Sequence, residues 1–327
     1  MAEVATTAMT SASPSATSEQ LLVVVDAAAR RTDGESVRIA KDVLSAGAAT
    51  KVCLPDGPEE FARALLRRGA RRPVVVGDDR ALLRTVALLH RRRELAGCAL
   101  SMVPVGGPVA LARSLGVPPG AVAAARAVLD GHERRLDLLV DDSDGVVLGG
   151  VRIPSGAGTG TGIGSGAGAG DFPGDGGPED GWGFGAEAAG GAGRGTAGGR
   201  PRPWLRTCRS LVRALAARPA RSGGEGPQRL RVEVDGETVV DLDQPLESVS
   251  VRPGGTGGLV TVELRPVSPG AAVETLRATG RRVTVSGADF HYRADDTVLC
   301  GPVRTRTWEA REGAWGLTLP SVLPGGG

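Results

Sequence analysis

Aromatic residues, cysteine pairs and long apolar runs are scarce in this sequence, and each scarcity argues against a class of protein. Aromatics make up 3% of the residues, so the core must be built from Val, Leu and Ala. The four cysteines, Cys53, Cys98, Cys208 and Cys300, lie far apart without a C-x-x-C pair, which argues against a zinc site and a disulfide framework. No apolar run approaches the roughly 18 residues that a membrane span needs. The sequence therefore predicts no transmembrane segment.

Lysine is nearly absent as well, because Lys41 and Lys51 are the only two. The 39 basic residues are almost all arginine and are balanced by 37 acidic ones, for a net charge of +2. No basic stripe with stacking aromatics is present, so we expect no nucleic-acid partner. Residues 1–19 are polar and lack a basic start and an apolar centre, which predicts a disordered tail and a cytoplasmic protein.

Strands and helices alternate between residues 20 and 150. A continuous apolar run at Leu21–Val25 predicts a buried strand, and Val37, Ile39, Ala40, Val43 and Leu44 are spaced as in a helix over 35–46. The pattern repeats, with strands predicted at 50–54, 74–76, 100–103 and 136–140 and helices at 59–68, 81–90 and 119–129. This alternation predicts an N-terminal α/β domain with a parallel sheet.

The junction from Arg72 to His90 is the place where we expect a ligand. The buried run Val74–Val76 ends at Gly77, and an amphipathic helix begins near Ala81. In α/β proteins small ligands and phosphates bind at such a junction, because the helix N-terminus points free N–H groups at the end of the strand.

Four segments resemble the diacylglycerol kinase catalytic-domain family, which includes bacterial lipid kinases. Gly77–Ala81 is similar to the G-G-D-G-T loop of that family, and Pro104–Arg113 resembles its P-L-G-T-G-N-D-F-A-R. Leu115–Pro118 is similar to its L-G-I-P, and Arg135–Leu138 to its R-x-I-D-L. Order and spacing both hold from Gly77 to Leu138.

The resemblance implies ATP and Mg²⁺ as cofactors and a lipid hydroxyl as phosphate acceptor. It implies a cofactor-binding set composed of Gly77, Asp78, Asp79, Arg80, Ala81, Gly106 and Gly107. It also implies Asp79 as the metal ligand, although a helix cap or first-turn acid explains this residue as well. Arg80 blocks close backbone approach to a phosphate, yet its guanidinium could itself bind one. Tight-turn geometry is the simpler explanation of the glycines at 106 and 107.

Several residues depart from the family pattern. Asp78 and Arg80 replace loop glycines, and Gly107–Ala110 replaces T-G-N-D, removing a hydroxyl, an amide and a carboxylate. Gly257 stands where the resemblance places the general base, and Asp295–Thr297 replaces D-G-E. No catalytic residue is therefore assigned. These losses favour a weakly active or inactive pseudokinase that binds a lipid, a nucleotide or a partner; the alternative is an active diacylglycerol kinase that uses the altered loops.

The second half has a different composition. Residues 155–199 contain 20 glycines in 45 residues, which predicts a flexible, disordered linker. Residues 204–320 predict a mainly antiparallel β domain, with a hairpin at Asp235-Gly236 and one helix between Ser268 and Gly280.

Arginine-rich segments raise the question of a membrane surface. The helix predicted over 204–218 is basic on one side, and either packs its apolar face on the β domain or lies peripherally on an anionic membrane. The runs at 67–72 and 91–93 are either solvated helix ends or an anionic-surface patch. The sequence leaves a homo-oligomer open.

Overall fold

The computed structural model describes residues 20–154, 226–255, 257–267 and 274–321. The predicted tail over 1–19, the linker over 155–199 and the helix over 204–218 lie outside the described residues. The division into domains near residues 150 and 204 stays a prediction.

The first half alternates strands and helices as the apolar spacing predicts. Its strands are β1 (Leu21–Val25), β2 (Thr50–Cys53), β3 (Arg72–Gly77), β4 (Ala99–Pro104), β5 (His132–Asp141), β6 (Val146–Val147) and β7 (Val151–Ile153). Its helices are α1 (Ala27–Thr32), α2 (Gly34–Gly47), α3 (Pro58–Leu66), α4 (Asp79–Arg91), α5 (Ala110–Ser114) and α6 (Ala121–Asp130). All five residues of β1 are buried, as a strand covered on both faces must be.

Strands β1 to β4 pair with one another in parallel. The order across this part of the sheet is β2-β1-β3-β4, with Val23 opposite Val52 on one side and Val74 on the other. The carboxyl ends of β1, β3 and β4 therefore meet at one edge, which brings the segments that follow these strands together.

The second half contains strands only, within the residues that are described. They are β8 (Gln228–Val234), β9 (Glu237–Val240), β10 (Pro245–Pro253), β11 (Val260–Pro266), β12 (Leu276–Gly280), β13 (Arg282–Ala294) and β14 (Val298–Leu319). Strands β8 and β9 form the predicted hairpin, in which Asp235 and Gly236 both have positive φ, as a type I′ turn requires. The mixed α/β architecture with many antiparallel strands is confirmed.

Strand β14 joins the two halves of the sheet. Its first part pairs antiparallel with β13, and its last part lies between β5 and β4. Gly316 and Leu317 pair in parallel with Ala99 and Leu100 of β4. The prediction that the strand at 136–140 belongs to a parallel sheet is wrong, because β5 pairs antiparallel with β14. Strand–helix alternation did not indicate this partner, which lies more than 160 residues further along the chain.

The helix predicted between Ser268 and Gly280 is also wrong where the structure describes it. Leu276–Gly280 is β12, the edge strand that pairs antiparallel with β11. The ladder with β11 overrides the local helix signals. Gly280 does not end a helix; a Cβ at this position would lie 2.4 Å from Cγ1 of Val234, so glycine permits close approach to β8.

Two hydrophobic cores share β5 and β14. Leu138 of β5 and Trp315 of β14 belong to the core of the first half, whereas Leu139 and Trp308 belong to the core of the second. Both tryptophans are fully buried. The two strands therefore tie the halves together through side chains on alternate faces.

Candidate functional site

The β3–α4 junction is a capped helix start. Asp78 is the N-cap residue of α4, and its Oδ1 accepts the Ala81 N–H at 3.0 Å. This bond satisfies one of the unpaired N–H groups of the first turn. The acid at this position thus occupies the helix N-terminus with its own carboxylate, where the resemblance implies a phosphate.

Asp79 faces the neighbouring helix. It is 2% exposed, and its Oδ2 and Oδ1 accept the backbone N–H groups of Leu111 and Ala112, each at 2.9 Å. These N–H groups lie in the first turn of α5, which has no side-chain cap of its own. Asp79, which lies in the first turn of α4, therefore supplies the N-terminal cap of α5. This agrees with the interpretation of Asp79 as a capping acid.

The two predicted loops are also bonded directly to each other. The Asp79 N–H donates to the Pro108 carbonyl oxygen at 2.9 Å, and the Val105 N–H donates to the Gly77 carbonyl oxygen at 2.9 Å. Backbone donors in both segments are thereby used within the protein.

The glycines of these loops are tightly packed. A Cβ on Gly77 would lie 2.8 Å from Cβ of Ala81, and one on Gly107 would lie 2.8 Å from Oδ2 of Asp78. Gly106 has φ of +91°, and a Cβ there would lie 2.7 Å from Thr32 Oγ1 of α1. Close approach to other parts of the protein therefore explains all three glycines.

A cleft of about 420 Å³ lies beside this junction. One wall comes from α4, α5 and the segment before α5; the other comes from β7, β10 and the β13–β14 hairpin. The lining residues are Asp79, Arg80, Pro108, Ala110, Leu111, Ser114, Gly149, Gly150, Val151, Arg152, Ser250, Arg252, Arg293, Asp295, Asp296 and Thr297. Clefts of this size bind small ligands in many proteins.

Two of the residues predicted to bind a cofactor, Asp79 and Arg80, line the cleft. The other five, Gly77, Asp78, Ala81, Gly106 and Gly107, do not line it. Gly257, the position that the resemblance gives to the general base, does not line it either.

Asp295 is the functional candidate that sequence reasoning missed. It is 8% exposed, has φ of +50°, and accepts the N–H groups of Leu148, Gly149 and Gly150 at 2.6 to 3.2 Å. Burial raises the pKa of Asp295 to about 6, although these three N–H bonds act to lower it. The available signal was its place in the segment that resembles D-G-E.

Positive side chains dominate the rest of the cleft. Arg80, Arg152, Arg252 and Arg293 line it, together with Asp79, Asp295 and the exposed Asp296. Because backbone N–H groups already engage two of these three acids, the side chains presented to a ligand are mainly arginines.

The two buried carboxylates of the cleft are already engaged by backbone N–H groups, which disfavours Mg²⁺ binding at Asp79. Mg²⁺ binds carboxylate oxygens in near-octahedral geometry, but both oxygens of Asp79 are used by α5 and Asp295 accepts three N–H bonds. Among the described residues, no group of three or more His, Cys, Asp or Glu side chains could hold a metal ion.

The arginine run at 67–72 is partly internal. Arg68 pairs with Glu94, and Arg72 donates to the Val128 carbonyl oxygen at 2.7 Å and to Thr318 Oγ1 at 2.9 Å. These two side chains are thus committed to the fold. No helix in the described part of the chain is long and apolar enough to cross a membrane.

Comparisons of sequence find no matching protein family and no matching curated protein. Solved structures do match. A protein assigned as a diacylglycerol kinase from Bacillus anthracis str. Sterne superposes with a TM-score of 0.59 at 11% identity, over 93% of this chain and 98% of that one. A second structure, of a diacylglycerol kinase from the same organism, gives 0.55 at 11% identity over 93% and 97%. An NAD kinase from Archaeoglobus fulgidus in complex with ATP gives 0.46 at 14% identity over 92% and 94%. The chain has the fold of the diacylglycerol kinases.

Proposed function

We propose that this protein is a pseudokinase of the lipid kinase fold, which binds a ligand in the cleft and transfers phosphate weakly or not at all. The observation that carries the proposal is the position of Asp79. Its carboxylate oxygens cap Leu111 and Ala112 of α5. The acid that the resemblance implies as a metal ligand is thus used within the protein.

The neighbouring charge supports the same proposal. A phosphate placed at the N-terminus of α4 would meet the Asp78 carboxylate, which already accepts the Ala81 N–H. Like charges about 4 Å apart repel by about 4 kcal/mol at an effective dielectric of 20. The family's ATP and Mg²⁺ therefore fit poorly at this junction.

Turnover of diacylglycerol by the full chain with magnesium-ATP tests this proposal. Loss of a general base alone typically costs a factor of about 10² to 10⁴. We expect turnover at least about a hundredfold below the usual kinase range of about 1 to 100 per second. Turnover within that range would refute the proposal.

Asp295 favours a second candidate, an active lipid kinase that uses the altered loops. A buried carboxylate in the cleft with its pKa raised to about 6 has the properties of a general base. If the protein turns over diacylglycerol, Asp295→Asn should lower kcat by about 10² to 10⁴. An unchanged kcat would remove Asp295 as the base.

Peripheral binding to an anionic membrane is a further part of the proposal. Its sequence support is the basic helix predicted over 204–218, outside the described residues. Flotation of the full chain with anionic liposomes, compared with a variant carrying Gln at Arg206, Arg209 and Arg213, tests it. Equal flotation of both proteins would eliminate this helix as the membrane contact.

A further inference from the structure

A row of polar residues crosses strands β10, β7 and β13 on the side of the sheet that faces the cleft. Arg152 of β7 lies opposite Ser250 of β10 on one side and opposite Arg293 of β13 on the other. Residues opposite each other on neighbouring strands point to the same face, with Cβ atoms about 4.5 to 5.5 Å apart. On the other face, Val151 and Ile153 are buried in the core.

Two arginine side chains thus occupy adjacent positions on a sheet, an arrangement that destabilises strands unless another group offsets the repulsion. Arg293 donates to the Asp296 carbonyl oxygen at 3.4 Å. Arg152 is half-buried, and no side chain in the described ranges forms an ion pair or hydrogen bond with it. Glu263, the acid opposite Ser250 on the next strand, pairs with Arg277 at 3.1 Å.

Two more arginines complete the cluster. Arg252 lies two residues beyond Ser250 on the same face of β10, and Arg80 lines the opposite wall. Neither has an ion-pair partner among the residues that the structure describes. Arg80, Arg152 and Arg252, which we call the arginine trio, therefore face one cleft from three separate segments of the chain.

We propose that the arginine trio binds a phosphomonoester dianion. The guanidinium group matches phosphate oxygens in paired hydrogen bonds, and such charge-assisted bonds are stronger than neutral ones. A phosphomonoester offers two negative charges and three terminal oxygens, enough to engage arginines from both walls. The inference rests on the proposed function, because it names the ligand class of the same cleft.

The phosphomonoester can belong to a soluble molecule or to a lipid head group. Val298 and Leu299 follow Thr297 of the cleft wall directly and are 50% and 58% exposed. An apolar chain attached to the phosphate would find contacts there. The experiment therefore includes a soluble arm and a lipid arm.

In the soluble arm, calorimetry measures binding of inorganic phosphate to the full chain. In the lipid arm, sedimentation measures binding to phosphatidylcholine vesicles that contain phosphatidate, with phosphatidylglycerol vesicles as the phosphodiester control. The test variant combines Arg152→Gln and Arg252→Gln. The matched control is Arg281→Gln, an exposed arginine between β12 and β13 that does not line the cleft.

We expect wild type to bind in at least one arm, and the double variant to bind about tenfold or more weakly in that arm, since it loses charge-assisted hydrogen bonds. Arg281→Gln should bind as wild type does. Binding of phosphatidate vesicles alone assigns the lipid source, and binding of free phosphate assigns the soluble source.

Three results would overturn the inference: no binding by wild type in either arm, equal binding by the double variant, or equal binding to phosphatidylglycerol and phosphatidate vesicles without free-phosphate binding.

If the double variant does not fold, Arg252→Gln alone replaces it, because that side chain is exposed. Unchanged affinity of this single variant then counts against the arginine trio. Neither arm measures turnover. Ordinary kinase turnover would refute the pseudokinase proposal and leave the phosphate result to stand separately.

Discussion

Asp79 Oδ1 accepts the backbone N–H of Ala112 at 2.9 Å across 33 residues of sequence. The bond links the start of α4 to the start of α5, and the Leu111 N–H completes the cap through Oδ2. A carboxylate that caps a neighbouring helix stabilises the fold without any ligand. The acid at this junction is thus explained by the architecture.

Asp79→Ala should destabilise the protein by about 2 to 4 kcal/mol, because it removes two buried charge-assisted hydrogen bonds and leaves two N–H groups unpaired. Urea unfolding measures the change. The control is Asp33→Ala, which removes the N-cap bond that the Ser36 N–H of α2 donates and should cost about 1 kcal/mol. Equal losses in the two variants would contradict the long-range cap.

Magnesium gives the same residue a second test. If Asp79 were a metal ligand, Mg²⁺ would raise the melting temperature of wild type, and Asp79→Asn would abolish that rise. We expect Mg²⁺ alone to change the melting temperature of neither protein. A rise confined to wild type would restore the metal assignment.

Gly106→Ala should cost about 2 kcal/mol or more of unfolding free energy. The residue has φ of +91°, and its new Cβ would lie 2.7 Å from Thr32 Oγ1 and 3.1 Å from Ala29 Cα. Gly97→Ala is the control, because a Cβ there meets nothing within 4 Å. Urea unfolding of both variants measures the difference; a loss of ligand affinity without a loss of stability would favour direct ligand contact at Gly106.

The sequence predicted local structure well because local chemistry determines it. The apolar run of β1, the amphipathic spacing of α4 and the Asp235-Gly236 turn all act over a few residues, and the structure has each of them. Helix α1 is not among the predicted helices; it has six residues, and Asp26, directly after β1, caps it by accepting the Ala28 N–H. The predicted α/β character followed from these local signals.

The cleft could not be predicted in the same way. Arg152, Arg252 and Arg80 come from β7, β10 and α4, and only the folded chain brings these three segments to one cavity. No fixed spacing in the sequence marks such a cluster. The environment of Asp295 could not be predicted either, because it depends on hydrogen bonds with Leu148–Gly150, about 145 residues earlier in the sequence.

Arg72→Met tests whether the arginine run near residue 70 serves the fold or a membrane surface. The Arg72 guanidinium bonds Ser101 Oγ at 3.2 Å, Thr318 Oγ1 at 2.9 Å and the Val128 carbonyl oxygen at 2.7 Å. Its removal should cost about 2 to 4 kcal/mol, because these partners lose a charged donor.

The control is Arg67→Met, at an exposed position without a side-chain bond to the described residues, which should change stability by less than about 0.5 kcal/mol. Chemical unfolding measures stability, and liposome flotation measures membrane binding. Weaker flotation with unchanged stability for Arg72→Met would favour the membrane-surface role instead.

Asp295 makes the stability of the fold depend on pH. Burial raises the pKa of Asp295 from 3.8 to about 6, so the folded protein holds this proton more tightly than the unfolded chain does. The resulting stabilisation is fully present below about pH 3.8 and is lost as the pH rises through about 6. The decrease in stability that it causes between pH 4 and pH 7 is about 2 kcal/mol.

Asp295→Asn isolates this contribution, because its Oδ1 can still accept the N–H groups of Leu148, Gly149 and Gly150 while the side chain no longer titrates. Urea unfolding at pH 4, 5, 6 and 7 measures both proteins. The decrease in stability from pH 4 to pH 7 should be about 2 kcal/mol larger for wild type. A difference of zero or of the opposite sign would contradict the prediction. It would mean that the three N–H bonds stabilise the carboxylate at least as much as burial and the neighbouring Asp296 destabilise it. Asp295 would then stay ionised in the folded protein from pH 5 to pH 7.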